Sequence, residues 1–171
     1  MGVAADALSP ITVREASAAD QPAVEAFLDQ HATAFVARLG ELVDARLPPA
    51  LIATDGERLV GVLTWIAHAD SFEVLTLHVL EPWRGTGTAL LDGARRLAAS
   101  LECRRMWLIT TNDNTDALRF YQRRGFRLAR LHPGAVDRSR RLLKPSIPEI
   151  GDHGIPLRDE LELELALDSG G

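Results

Sequence analysis

Residues 50 to 79 constrain the fold most. Two runs rich in apolar and β-branched residues, LIATD and RLVGVLTWIA, flank Asp55-Gly56, and a third, FEVLTLHV, follows the turn sequence His68-Ala69-Asp70-Ser71. An Asp-Gly pair between apolar runs is a hairpin signal, because glycine takes the positive φ that a tight hairpin turn demands. The stretch predicts three consecutive antiparallel strands. Directly after them comes EPWRGTGTALL, a glycine turn that opens onto TALLDGARRLAASL. There Leu90, Leu91, Ala94, Leu97, Ala98 and Leu101 recur along one stripe, with Asp92, Arg95 and Arg96 opposite, the pattern of an amphipathic helix.

On either side of this block the elements alternate. ITVRE at 11–15 alternates as a strand, and Ser17 to Asp20 offer caps for a helix through PAVEAFLDQHA with Pro22 in its first turn. Residues 34–47 read two ways at AFVARLG, as a short strand or a helix turn. ELVDARL reads as a helix ended by Pro48-Pro49. Further on, RRMWLITT reads as a buried strand. Asn112 to Asn114 then cap a helix TDALRFYQRR that stops at Gly125, and FRLARL resumes as a strand. The proline-bounded segment IPEIGDHGIP precedes ELELELAL, whose strict alternation gives one carboxylate face and one leucine face. The order describes an α/β domain with a mixed sheet covered by helices. We expect a disordered segment at 1–10, a single domain over 11–168, and within it a C-terminal extension, 145–168, ending in a strand.

Composition narrows the function. The chain has 171 residues, and no run approaches the roughly 18 apolar residues of a membrane span. The first ten residues lack the pattern of a secretory signal, so a cytoplasmic protein is expected. Cys103, the one cysteine, excludes an internal disulfide and a CxxC metal site, and the five histidines show no metal-ligand spacing. The net charge of −5 is unevenly spread: residues 84–144 hold fourteen basic and five acidic groups, against four and twelve in 1–83 and one and seven in 145–171. A basic middle in an acidic chain suits an anionic ligand of limited size rather than nucleic acid, which favours a broad basic footprint. Solvated arginine faces on helices would account for it equally.

A strand, a glycine turn and a helix expose several backbone N–H groups and the positive end of a helix dipole to a phosphate. Two nucleotide motifs fail here: the turn has no Gly-Lys-Ser/Thr, and Asp92 stands five residues beyond Gly87, so the dinucleotide fingerprint is incomplete. Arg84-Gly-Thr-Gly87-Thr-Ala89 resembles instead the RxxGxG/A signature with which the GCN5-related N-acetyltransferases (GNAT) bind acetyl-CoA. Asn114 through Tyr121 to Gly125-Phe126 is similar to that family's second signature, at a fitting distance along the chain. The likeness runs from about residue 11 to 130. One departure is the order Glu81-Pro82, where many members place proline one residue earlier.

The resemblance implies a mostly antiparallel mixed sheet with helices on both faces and a central strand pair that splays to admit pantetheine. It implies acetyl-CoA as cosubstrate and no metal, with an amine as acceptor. Leu77, His78 and Val79 would offer backbone groups to pantetheine. Arg84, Gly85, Thr86, Gly87, Thr88 and Ala89 would hold the pyrophosphate, the Thr86 and Thr88 hydroxyls assisting. Tyr121, the single tyrosine, matches the family's general acid for the leaving thiolate; a core aromatic beside Ala117 and Leu118 is the other reading. Asn114 is a helix cap or a pantetheine contact.

For the base three readings stand. By period two Glu73 shares a face with Leu75, Leu77 and Val79, and a carboxylate on an apolar face has a raised pKa. It also occupies a strand position where several family members carry a catalytic glutamate. His78 is the rival, and a water relay the third; a backbone N–H near His78 would stabilise the oxyanion. Cys103, beside Arg104 and Arg105 and with no histidine nearby in sequence, does not suggest an acyl-cysteine route. Asp159, Glu160, Glu162 and Glu164 would attract a cationic amine or form a solvated face, and acceptor choice falls to loops 31–50 and 132–157. A non-catalytic acyl-CoA sensor and a partner-binding domain on exposed strand edges are the alternatives. ELELELAL is as able to pair with a second copy, giving a homodimer, as to complete its own sheet.

Overall fold

The computed structural model describes residues 10–82 and 84–167; most of the segment expected to be disordered, Trp83 and the last four residues lie outside it. The predicted meander is present as β4 (Ala50–Asp55), β5 (Arg58–His68) and β6 (Ser71–Val79). β1 (Ile11–Glu15) pairs with β4. β7 (Arg105–Thr111), β8 (Arg127–His132) and β9 (Glu160–Ala166) complete a seven-stranded sheet of order β1-β4-β5-β6-β7-β9-β8. Every pairing is antiparallel except β6 with β7.

Two cores flank the sheet. On one face α2 (Thr86–Ser100) buries Leu90, Leu91, Ala94 and Ala98, the stripe read from its sequence, beside α3 (Thr115–Gln122) with Tyr121. Leu90 and Leu91 are fully enclosed, and burial of each stabilises the fold by about 1.5–3 kcal/mol. On the other face α1 (Gln21–Gln30) packs Val24, Phe27 and Leu28 onto Ile52, Val62 and Leu75. Helices on both faces of a mostly antiparallel sheet are the predicted architecture.

β6 departs from simple alternation. Thr64 faces Thr76 and Trp65 faces Val74, so Leu75 is an extra residue, a β-bulge. The bulge turns the following side chains over. Phe72 and Val74 therefore share the α2 face with Leu77 and Val79, while Leu75 packs on the α1 side. Glu73 does not share a face with Leu77 and Val79 as period two predicts; a one-residue bulge reverses the parity beyond it. β6 meets β7 only over Ser71–Glu73 and Arg105–Trp107, and past Glu73 the two strands splay.

Three segments differ from the sequence reading. ELVDARL is no helix: β2 (Phe35–Arg38) and β3 (Glu41–Asp44) form a separate two-stranded hairpin. Its turn is Leu39-Gly40, with φ of 50° and 80°, and Val36 faces Val43 across it. A glycine beside β-branched residues suits that turn better than a helix start. Second, α4 (Ala135–Leu142) forms where no helix was read, because it buries only Ala135, Val136 and Ser139 and so carries no apolar stripe. Third, β9 lies between β7 and β8 and completes its own sheet, which leaves β1 and β8 as the edges. Its leucines join the α2 core; of its glutamates, Glu160 is 1% exposed rather than solvated.

Candidate acetyl-CoA site

The splay between β6 and β7 opens a cavity of about 570 Å³, bounded by β6, the glycine turn and α3. Leu77 and Val79 line it from the strand, Gly85, Gly87 and Thr88 from the turn, and Asn114 and Tyr121 from α3. The Leu80 amide donates to Val60 O at 2.9 Å, so Leu80 and His78 turn their backbone groups toward β5. By alternation those of Leu77 and Val79 face the splay, where β7 no longer supplies a ladder.

Gly85 caps α2 with φ 81°, a left-handed conformation that glycine adopts without penalty. The first bond of the helix runs from Ala89 N–H to Gly85 O at 2.9 Å, so the Thr86, Gly87 and Thr88 amides precede it and make up the open end of the helix dipole. Ala89 thus spends its amide inside the helix. Thr86 is buried, its methyl against Gly61, so its side chain points away from the cavity. The Thr88 hydroxyl accepts from Arg124. Arg84 is not in the lining: its guanidinium is 2.9 Å from Glu81 and 3.9 Å from Asp55.

Sequence reasoning passed over Phe120 and Arg124. The Phe120 ring lies against Gly87, and the Arg124 guanidinium stacks 3.7 Å above that ring. Arg124 donates to Phe120 O, and its buried Nε has no partner among the described residues. Their four-residue spacing on one helix face was the available signal. A turn of free amides with side-chain-free glycines and an arginine beside it fits a diphosphate, and the apolar gap beyond fits an extended thiol arm.

Asn114 accepts the Ala117 amide at 3.0 Å, so it is a helix cap and a cavity residue together. The Tyr121 ring sits edge-on to Phe120 and Phe126 at 5.1 and 5.4 Å. Burial drives its phenol well above the usual tyrosine range, with Arg124 opposing in part, so the hydroxyl keeps its proton.

Glu73 and His78 lie outside this cavity. The Glu73 carboxylate is 1% exposed and meets Arg38 of the hairpin, with Oε1 2.6 Å from Nε, though off the hydrogen-bonding direction, and Oε2 accepting from Nη2 at 3.0 Å. Its Oε2 also lies 3.1 Å from His68 Nε2, and His68 is half exposed. The apolar setting expected for Glu73 is therefore replaced by an ion pair. The His78 ring stacks on His31 at 5.8 Å, and burial first, the neighbouring imidazole second, pushes its pKa down to about 4. Cys103 is buried and its thiol is pushed up by burial, which leaves it no thiolate character.

Comparison with known proteins decides the family. Residues 12–126 match the acetyltransferase (GNAT) family. The chain belongs to the GNAT acetyltransferases. Two relatives come from Bacillus subtilis strain 168. The uncharacterized protein YdhI is 40% identical over 119 residues, 70% of this chain and 73% of that one. The uncharacterized protein YxbD is 44% identical over 109 residues, 64% and 68% of the two chains. Among solved structures, IAA acetyltransferase from Bacillus cereus ATCC 14579 aligns over 92% of this chain and all of its own, with a TM-score of 0.69 at 20% identity. A GNAT family acetyltransferase from Elizabethkingia anophelis with acetyl-CoA bound aligns over 92% and 98%, with a TM-score of 0.65 at 20% identity. At such identities these structures speak for the GNAT fold alone. No described helix is long and apolar enough to cross a membrane.

Proposed function

We infer that this GNAT acetyltransferase is an acetyl-CoA-dependent N-acetyltransferase that acts on a primary amine by direct transfer in a ternary complex. The observation that carries the reading is the convergence of the open α2 amides, the splayed backbone of Leu77 and Val79, and the Tyr121 phenol on one cavity. When bound, acetyl-CoA supplies an acyl group activated as a thioester. The amides of Thr86 to Thr88, with Arg124 beside them, hold the diphosphate, and the β6 edge aligns the pantetheine arm. A strand N–H facing the splay stabilises charge as it grows on the carbonyl oxygen.

Tyr121 donates its proton to the departing sulfur. Because burial holds that proton tightly, the donation is coupled to proton loss from the amine rather than preceding it. The amine proton reaches Glu73 across water, since the carboxylate is buried against Arg38, and His68, hydrogen-bonded to Glu73 and half exposed, passes it to solvent. Burial brings the His78 pKa down to about 4, which makes it a poor proton acceptor at neutral pH.

Thiol release from acetyl-CoA with a panel of amines tests the reading. Tyr121→Phe should lower kcat by about 10²–10⁴-fold with the coenzyme Kd retained. An unchanged kcat with chemistry rate-limiting removes Tyr121 as the acid. Coenzyme binding without turnover for every amine would make the protein an acyl-CoA sensor.

A further inference from the structure

The α3 wall of the cavity carries more positive charge than the neighbouring carboxylates neutralise. Among the described residues, Arg119, Arg123 and Arg124 line the cavity against the carboxylates Glu81 and Asp116. Both carboxylates are engaged: Glu81 lies 2.9 Å from Arg84 and 3.5 Å from Arg58, and Asp116 3.1 Å from Arg119. Arg124 is held by the Phe120 ring, Phe120 O and the Thr88 hydroxyl. Arg123 differs. It is exposed and has no ion pair among the described residues.

Exposed cations at the end of a helix commonly serve its dipole. Two features set Arg123 and Arg124 apart. They are near enough to repel: burial first, and the charge of Arg123 second, presses the Arg124 pKa below the usual arginine range, with Asp92 opposing and Arg95 adding to the repulsion. They also line one cavity together, although they are consecutive on the helix. Two guanidiniums on a common space, with no carboxylate between them, suit an anion that carries more than one charged group.

The order of parts along the cavity decides which group reaches each arginine. The splay and Tyr121 take the thioester end, and the α2 amides with Arg124 take the diphosphate. Arg123, exposed and next along α3, stands at the mouth, where the nucleoside leaves. There coenzyme A carries a phosphate monoester on its ribose, separate from the diphosphate. We propose that Arg123 is a specificity-determining residue that pairs with this ribose phosphate, so that the protein selects coenzyme A over 3′-dephospho-coenzyme A. The inference rests on the acetyl-CoA reading above. Arg124, fixed against Phe120 and Thr88, stays with the diphosphate, whereas Arg123 has its whole fork of donors to offer.

Calorimetric titration of wild type and Arg123→Gln with coenzyme A and with 3′-dephospho-coenzyme A tests the assignment. Arg123 is exposed, so the substitution leaves the core untouched. Wild type should bind coenzyme A about 5- to 20-fold more tightly than the dephospho form, the worth of a charge-assisted pair discounted for solvent screening. Arg123→Gln should bring the two Kd values within about twofold by weakening coenzyme A alone. Equal Kd values in wild type, or an undiminished preference in the variant, overturns the proposal. So does a loss that falls on both ligands alike, which would mark Arg123 as a group serving the helix dipole or the general field. If neither ligand binds, the acetyl-CoA reading fails and takes this one with it; equal affinities leave that reading standing and remove only the ribose-phosphate contact.

Discussion

Gly151→Ala isolates a single steric contact. Gly151 has φ −97° and ψ −151°, backbone that any residue adopts, so alanine brings no conformational strain. A Cβ there would sit 1.9 Å from Asp113 Oδ2, 2.6 Å from its Cγ and 3.0 Å from its Cβ. Asp113 is buried and cannot swing aside freely: it accepts the Thr111 hydroxyl through one oxygen and the Asp152 amide, at 2.9 Å, through the other. Overpacking costs about 1–3 kcal/mol, and each hydrogen bond to a carboxylate that breaks costs about 1.5–3 more. Reduced freedom of the unfolded chain returns about 0.4–1 kcal/mol. We expect a net loss of about 2–4 kcal/mol, hence a Tm lower by about 5–15 °C for a chain of this size. Thermal unfolding followed by circular dichroism measures it. Because Asp113 adjoins Asn114, which caps α3 and lines the cavity, coenzyme affinity should fall as well. A Tm within about 2 °C of wild type would refute the claim that the Asp113 carboxylate is held fixed against Gly151.

Gly87→Ala should separate stability from binding: its Cβ would make ordinary contact with Phe120 at 3.4 Å, and alanine favours a helix over glycine by about 0.5–1 kcal/mol, yet the methyl would stand where a phosphate must approach. We expect Tm unchanged or raised and coenzyme Kd at least about tenfold weaker by calorimetry, one lost phosphate contact being worth over 1 kcal/mol. An imidazole whose pKa is lowered on folding gains its proton first in the unfolded chain, so His78 destabilises the fold as pH falls from about 6.5 to about 4. Over that window the stability of wild type relative to His78→Gln, from urea unfolding, should drop by up to about 3 kcal/mol; a constant difference would contradict the buried, neutral imidazole.

The legible parts of the chain were those governed by local periodicity. The meander, α2 and α3 with its Asn114 cap each bury a stripe written within one segment, and the two glycine-bearing motifs fell on the turn and helix that bound the cavity. What escaped depended on distant partners. The surroundings of Glu73 are set by Arg38, thirty-five residues away, on a hairpin whose turn lacks the usual Asn-Gly or Asp-Gly pair. The burial of Glu160 under the hairpin goes with its hydrogen bond from Leu39, separated from it by 121 residues. The bulge at Leu75 leaves no mark in an apolar run, yet it decides which side chains of β6 face the splay. For α4, whose one buried edge is Ala135, Val136 and Ser139, composition reads as loop.

The position of β9 orders the assembly of the protein in time. β7 and β8 are joined in the sheet only through this strand, which follows both in the chain. A nascent polypeptide can close the meander early, but until residue 166 has left the ribosome the flank of β7 is open and the floor beneath the hairpin tip has no Glu160. Such late, long-range pairing is slow and leaves a sticky edge exposed meanwhile. Synthesis arrested before that residue should therefore yield a half-sheet prone to aggregation, not a weakened enzyme.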